Sequence, residues 1–265
     1  MQAIMNETLA ESRSSDGAYP TRGSEAGRRG AGGLNLLFTL TSLSVVLVTV
    51  ERVSPTTRVV LAPHRFLSLH EVLQVTVLIT LTVAIPALML RVLSGNFAAV
   101  QSRTSGWLFI VFLVGTYYYG AGEGLHEVSS YTFNAYCDTV HLSGNLCGGL
   151  FFNDFFTGNT LFFVGAALTT GVLLIIESRN PGDSFSRRAM MVLVVNAVVF
   201  SATVIAYAAF DRVLVGLVYS LVMLVVSLVF LLRARNCWRQ FPYTTYTSLV
   251  YTIGAVASVI IRIAR

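Results

Sequence analysis

Two carboxylate-x-x-histidine pairs, Glu123 with His126 and Asp138 with His141, stand close together in this chain. Residues three apart on a helix share a face, and paired Glu-x-x-His segments hold di-metal carboxylate sites in helical bundles for that reason. His126-Glu127 and His70-Glu71 repeat the dipeptide that opens the zinc-peptidase signature. Neither has a second histidine four residues after the first, so that motif is absent. Further along lies Asn153-Asp154-Phe155-Phe156-Thr157-Gly158-Asn159, and Gln74 follows Glu71 by one turn. The chemistry these residues offer is proton transfer or metal ligation. Glu123 and Asp154 are the candidate general bases, and His70, Glu71, His126, Glu127 and His141 are the candidate metal ligands or proton carriers. Asn153 and Asn159 are the orienting donors. A divalent metal ion held there would polarise an ester or activate water.

Such residues act together only if the elements that carry them converge. The chain has 265 residues, of which 54% are hydrophobic and 12% charged, with a mean hydropathy of +0.69. A soluble domain carries about a quarter of its residues as charges. Apolar runs of roughly 18 to 24 residues recur from Leu34 onward, long enough to cross a hydrocarbon core about 30 Å thick at about 1.5 Å per residue. The pattern predicts an all-α, polytopic transmembrane helical bundle of about seven spans. They fall at Leu34 to Val50, His70 to Leu93, Ser105 to Gly124, Asp154 to Ile176, Ala189 to Phe210, Arg212 to Leu232 and Pro242 to Ile263. Residues 1–33, rich in Gly, Ser, Arg and Glu, read as a disordered tail rather than a signal peptide. Residues 34–265 read as a single membrane domain. Pro86 should kink span two, and the turn Phe210-Asp211-Arg212 makes spans five and six antiparallel neighbours.

Every basic residue is arginine, and 12 of the 18 lie in the tail or in the loops after spans two, four and six. The connection at 125–153 has none. Positive-inside bias therefore puts the amino terminus in the cytoplasm, and the 125–153 connection and the carboxyl terminus outside. Cysteine usage agrees. Cys137 and Cys147 fall in the outer connection and are expected to form a disulfide, whereas Cys237 falls in an arginine-rich loop on the reducing side. On this topology all four histidines, including His64, lie at the outer face. An ionisable group inside a span is costly unless paired or facing a cavity. A shared polar site where three span ends meet competes here with a merely solvated outer face.

Several functions are excluded. With no lysine, the chain cannot carry a retinal Schiff base. It has no basic stripe with interleaved aromatics to stack nucleic-acid bases, and no Gly-x-Gly-x-x-Gly, phosphate loop or Cys-x-x-Cys. The span count resembles that of the seven-span hydrolases that include alkaline ceramidases and adiponectin receptors. That resemblance would imply a zinc held by three histidines, but two of those lie in the last span, where this chain has none, so no residue carries over. The expectation is a multi-pass protein of the plasma membrane whose outer-face site handles a lipid or small molecule. The alternatives are a non-catalytic subunit or scaffold, docking a membrane-protein partner or a second copy through 125–153, and a transporter.

Overall fold

The computed structural model describes residues 22–102, 105–234 and 237–265, with side chains from residue 32 onward. Among them are seven helices long and apolar enough to cross a membrane: α1 (Gly32–Arg52), α2 (Leu69–Leu93), α3 (Gly106–Tyr136), α4 (Gly144–Arg179), α5 (Arg187–Phe210), α6 (Val215–Arg233) and α7 (Pro242–Ala264). No strand occurs among the described residues; the nearest approach is one isolated bridge, Val60 with Ser68. The protein is an all-α seven-span bundle.

Consecutive helices run antiparallel, so the bundle has two ends. One, the hairpin end, holds the turn between α3 and α4. The other holds the loops after α2, α4 and α6. Polar contacts join α1 to α5: Asn196 donates to Thr39 Oγ1 at 3.2 Å, and Ser42 donates to the Asn196 carbonyl at 3.1 Å. Phe38, Leu90, Leu173, Leu193 and Ala255 are among the fully buried residues between helices. Many large apolar side chains face outward instead, such as Val195 at 62% and Ile260 at 61% exposure. Lipid chains solvate these as well as protein would, so packing and hydrogen bonding, rather than hydrophobic burial, hold the helices together.

The longest helices differ from the spans expected. The stretch 125–153, read as a connection, is mostly helical: α3 continues to Tyr136 and α4 begins at Gly144, leaving 137–143 as the turn. Apolar runs end where the membrane ends, but the backbone keeps its hydrogen-bonded ladder beyond that point. The Cys137–Cys147 disulfide closes the turn, with Cα atoms 5.8 Å apart, and closing a loop of that size contributes roughly 2 to 3 kcal/mol. At the other end of the chain, the helix that contains α1 starts at Arg22. Residues 1–21, most of the stretch expected to be a disordered tail, lie outside the described residues.

Gly122 and Gly124 do not break α3. Gly122 and Gly165 are instead where α3 and α4 meet backbone to backbone. A Cβ on Gly122 would sit 2.2 Å from the Phe162 nitrogen, and one on Gly165 would sit 2.2 Å from the Tyr119 nitrogen. Gly115 and Gly158 extend the same contact. Small residues at such spacing let membrane helices approach closely, and this approach fixes how α4 presents Asp154 to α3.

Candidate functional site

At the hairpin end, α1, α2, α3 and α4 enclose a cleft of about 570 Å³ lined by Arg52, His70, Glu71, His126, Glu127, Ser130, Tyr131, Asn134, Ala135, Asp154 and Phe155. Two of its walls contain a π-helical turn, Gln74–Leu78 in α2 and Asn153–Gly158 in α4. One extra residue per turn rotates the remainder of the helix about its axis, and such turns recur at functional sites. Here they carry Gln74 and Asp154. The segment after α1 is tied to α3 beside the cleft: Tyr131 and Tyr136 both donate to the Arg65 carbonyl, at 3.2 and 3.0 Å.

The ionisable groups of the cleft come in pairs drawn from different helices. Nδ1 of His126 lies 2.8 Å from Asp154 Oδ1 and 3.1 Å from the Asp154 carbonyl oxygen. Asp154 is 1% exposed. His70 Nδ1 meets Glu51 Oε2 as a second pair. Glu51 is held in turn by Gln74 Nε2 at 3.2 Å and Thr56 Oγ1 at 2.5 Å. Arg52 Nη2 lies 3.5 Å from Glu127 Oε1. Glu71 caps its own helix, accepting from the Ser68 amide at 2.8 Å and from the Ser68 hydroxyl. The pairing keeps these carboxylates tolerable where water is scarce. A carboxylate on one ring nitrogen also fixes a histidine's tautomer and orientation and leaves the other nitrogen free to act.

The structure thus brings His70, Glu71, His126, Glu127 and Asp154 to one cleft. Glu123, one turn before Glu127, does not line it and has no hydrogen-bond or ion-pair partner among the described residues. His141 stays on the exposed turn, where Asp138 accepts from the amides of His141 and Val140 at 3.0 and 2.8 Å. Those two donations hold the Asp138 carboxyl below the usual carboxylate range. The Asp138-x-x-His141 spacing is therefore turn geometry. Asn159 leaves the cleft as well, donating to Asp211 Oδ2 at 3.2 Å, and burial pushes that carboxyl above its ordinary range. Among the described residues no group of three or more His, Cys, Asp or Glu side chains is arranged to hold a metal ion.

Glu51, Arg52, Ser130 and Asn134 are cleft or support residues that the spacing arguments passed over. For Ser130 and Asn134 a signal existed: 126, 130 and 134 repeat every four residues, which places them on one face once α3 is known to run past 124. Glu51 carries no such signal, because its partner is on another span.

The polar run that opens α7 is occupied by structural bonds. Ser248 donates to the Ser227 carbonyl at 3.1 Å, Thr247 to the Tyr243 carbonyl at 2.8 Å, and the Tyr251 and Tyr219 hydroxyls lie 2.6 Å apart. Compared with known proteins, the chain matches no protein family, no curated protein and no solved structure.

Proposed function

We propose that this membrane protein takes the polar part of a lipid or small molecule into the hairpin-end cleft, where His126 and His70 exchange protons with it. The observation that carries this reading is the His126–Asp154 pair: a carboxylate with 1% exposure lies 2.8 Å from an imidazole on another span, at the wall of an open cleft. Ionisable groups inside spans are costly and mark sites of binding or proton transfer by default. Asp154 fixes the proton of His126 on Nδ1, so Nε2 is the nitrogen offered to a ligand. Mass spectrometry of molecules retained through detergent purification tests the reading. A lipid or small molecule held by the native chain should fall by about 10-fold or more in Asp154→Asn and His126→Gln, since losing a charged hydrogen-bond partner costs about 1.5 to 3 kcal/mol. An unchanged profile in both variants would sink the idea.

The cleft faces the extracytoplasmic side in this reading, because the arginine bias and the disulfide agree on that end. Cys237, free and exposed near the opposite end, supplies the check. In intact cells it should resist a membrane-impermeant maleimide, while an epitope inserted at 140 should be accessible. Ready labelling of Cys237 together with a protected epitope would reverse the orientation.

A further inference from the structure

Ser130 lies four residues after His126 on α3, and both line the cleft. On a helix such a pair is separated by about 5–6 Å at Cβ, and side chains tilt toward the helix amino terminus, so Ser130 leans toward His126. Its hydroxyl proton is uncommitted. Most serines and threonines in these helices donate to a carbonyl one turn back, as Thr132 does to Val128 at 2.7 Å. Ser130 makes no such bond among the described residues; its Oγ only accepts, from Asn134 Nδ2 at 3.5 Å. Behind His126 stands Asp154, 2.8 Å from Nδ1. Ser130, His126 and Asp154 thus line one cleft, the serine one turn from the imidazole and not hydrogen-bonded to it, and the carboxylate on the imidazole's Nδ1 side; such triads are recognised by roles and geometry, whatever the fold.

We infer that Ser130, His126 and Asp154 form an esterase centre for acyl esters of lipid-like alcohols, an inference that rests on the cleft being a ligand site. Ser130 Oγ attacks the ester carbonyl carbon while its proton passes to His126 Nε2. The tetrahedral oxyanion collapses, the bond to the alcohol oxygen breaks, and that oxygen leaves with the proton from His126. Water then attacks the acyl-serine carbonyl and gives its proton to His126. The second collapse releases the carboxylic acid and returns the proton to Ser130 Oγ. Arg52, whose guanidinium has five donors and engages Glu127 through one of them at 3.5 Å, is the group available to stabilise the oxyanion, whereas the Asn134 amide already donates to the Ser130 carbonyl at 2.8 Å. The Asp154 carboxyl, 2.8 Å from Nδ1, holds the ring in place through both proton transfers.

The test uses the full chain in detergent, an alkyl fluorophosphonate probe, and turnover of p-nitrophenyl butyrate. The expected result is a probe adduct on the peptide containing Ser130, absent from Ser130→Ala. Labelling rate and turnover should fall by about 100-fold or more in His126→Gln. Ser129→Ala, at the buried neighbouring position, should label like the native chain, and a melting temperature in detergent close to the native one confirms that each variant is folded. No adduct on Ser130, or equal labelling of native and His126→Gln protein, overturns the esterase centre. If the co-purifying ligand is still retained by the native chain and lost from Asp154→Asn, the cleft reading survives that failure. If no ligand depends on Asp154 either, both fall.

Discussion

Alanine at Gly122 or Gly165 should lower the stability of the bundle by about 3 kcal/mol or more, beyond the usual cost of overpacking a core. The added methyl meets backbone rather than a movable side chain. It would sit 2.2 Å from the Phe162 nitrogen in one case and 2.2 Å from the Tyr119 nitrogen in the other, so α3 and α4 must separate by more than an ångström. Separation also pulls His126 on α3 away from Asp154 on α4, and ligand retention should fall together with thermal stability. Gly171, also on α4, is the internal control: a Cβ there meets nothing within 4 Å. Its replacement by alanine should be neutral or stabilising by about 0.5 to 1 kcal/mol, the usual helix gain over glycine. Thermal unfolding of the variants in one detergent decides it. Equal melting temperatures for Gly165→Ala and Gly171→Ala would mean that the close approach of α3 and α4 is not a constraint.

Glu177→Ala should cost about as much, roughly 3 to 5 kcal/mol, from the opposite end of the bundle. Glu177 is 1% exposed near the end of α4. Its carboxylate accepts from the amides of Tyr243 and Thr244 and from the Thr244 hydroxyl, each at 2.7 Å. These are the first free amides of α7, which starts at Pro242 and has no side-chain cap of its own. A helix has no internal partner for its first amides, and a negative charge there also meets the positive end of the helix dipole. Truncation leaves two buried amides and the Thr244 hydroxyl without their acceptor, whereas Glu177→Gln keeps one acceptor and should lose less. Thr244→Val removes only one of the three bonds and should cost about 1 kcal/mol. The ranking Ala, then Gln, then the Thr244 variant is the expected order of melting temperatures from lowest up. A Glu177→Ala protein as stable as the native one would show that water supplies the cap.

Both effects concern contacts between spans, and there the reading from residues alone stopped. Hydrophobic length is a local property, so the apolar runs revealed the seven spans, and their expected boundaries stay within a few residues of α1, α2, α5, α6 and α7. Distance along the chain is local as well, which is why Cys137 and Cys147 were legible as a pair. Where polarity intervenes, the same logic ends α3 too early, at Gly124 rather than Tyr136, and begins α4 too late, at Asp154 rather than Gly144. A helix leaving the membrane keeps its backbone ladder, and the hydropathy of residues such as Ser130 and Asn134 does not register that. Glycine likewise has two meanings. At Gly122 it reads as a helix breaker in isolation, and only the presence of the Phe162 backbone beside it shows a packing surface.

The site divides along the same line. Sequence alone determined that His70, Glu71, His126, Glu127 and Asp154 gather at one end of the bundle, because topology assigns each span terminus to a face. Which carboxylate holds which histidine was decided by tertiary structure: Glu51 of α1 meets His70, and Asp154 of α4 meets His126. So was the exclusion of Glu123 and His141 from the cleft. The physical reason is rotational. These spans are apolar nearly all round, lipid accepts any face of them, and their hydropathy therefore does not encode the angle of each helix about its axis. That angle comes from backbone contact at small residues, from π turns at Gln74 and Asp154, and from polar bonds between spans. All three depend on partners far away in the chain.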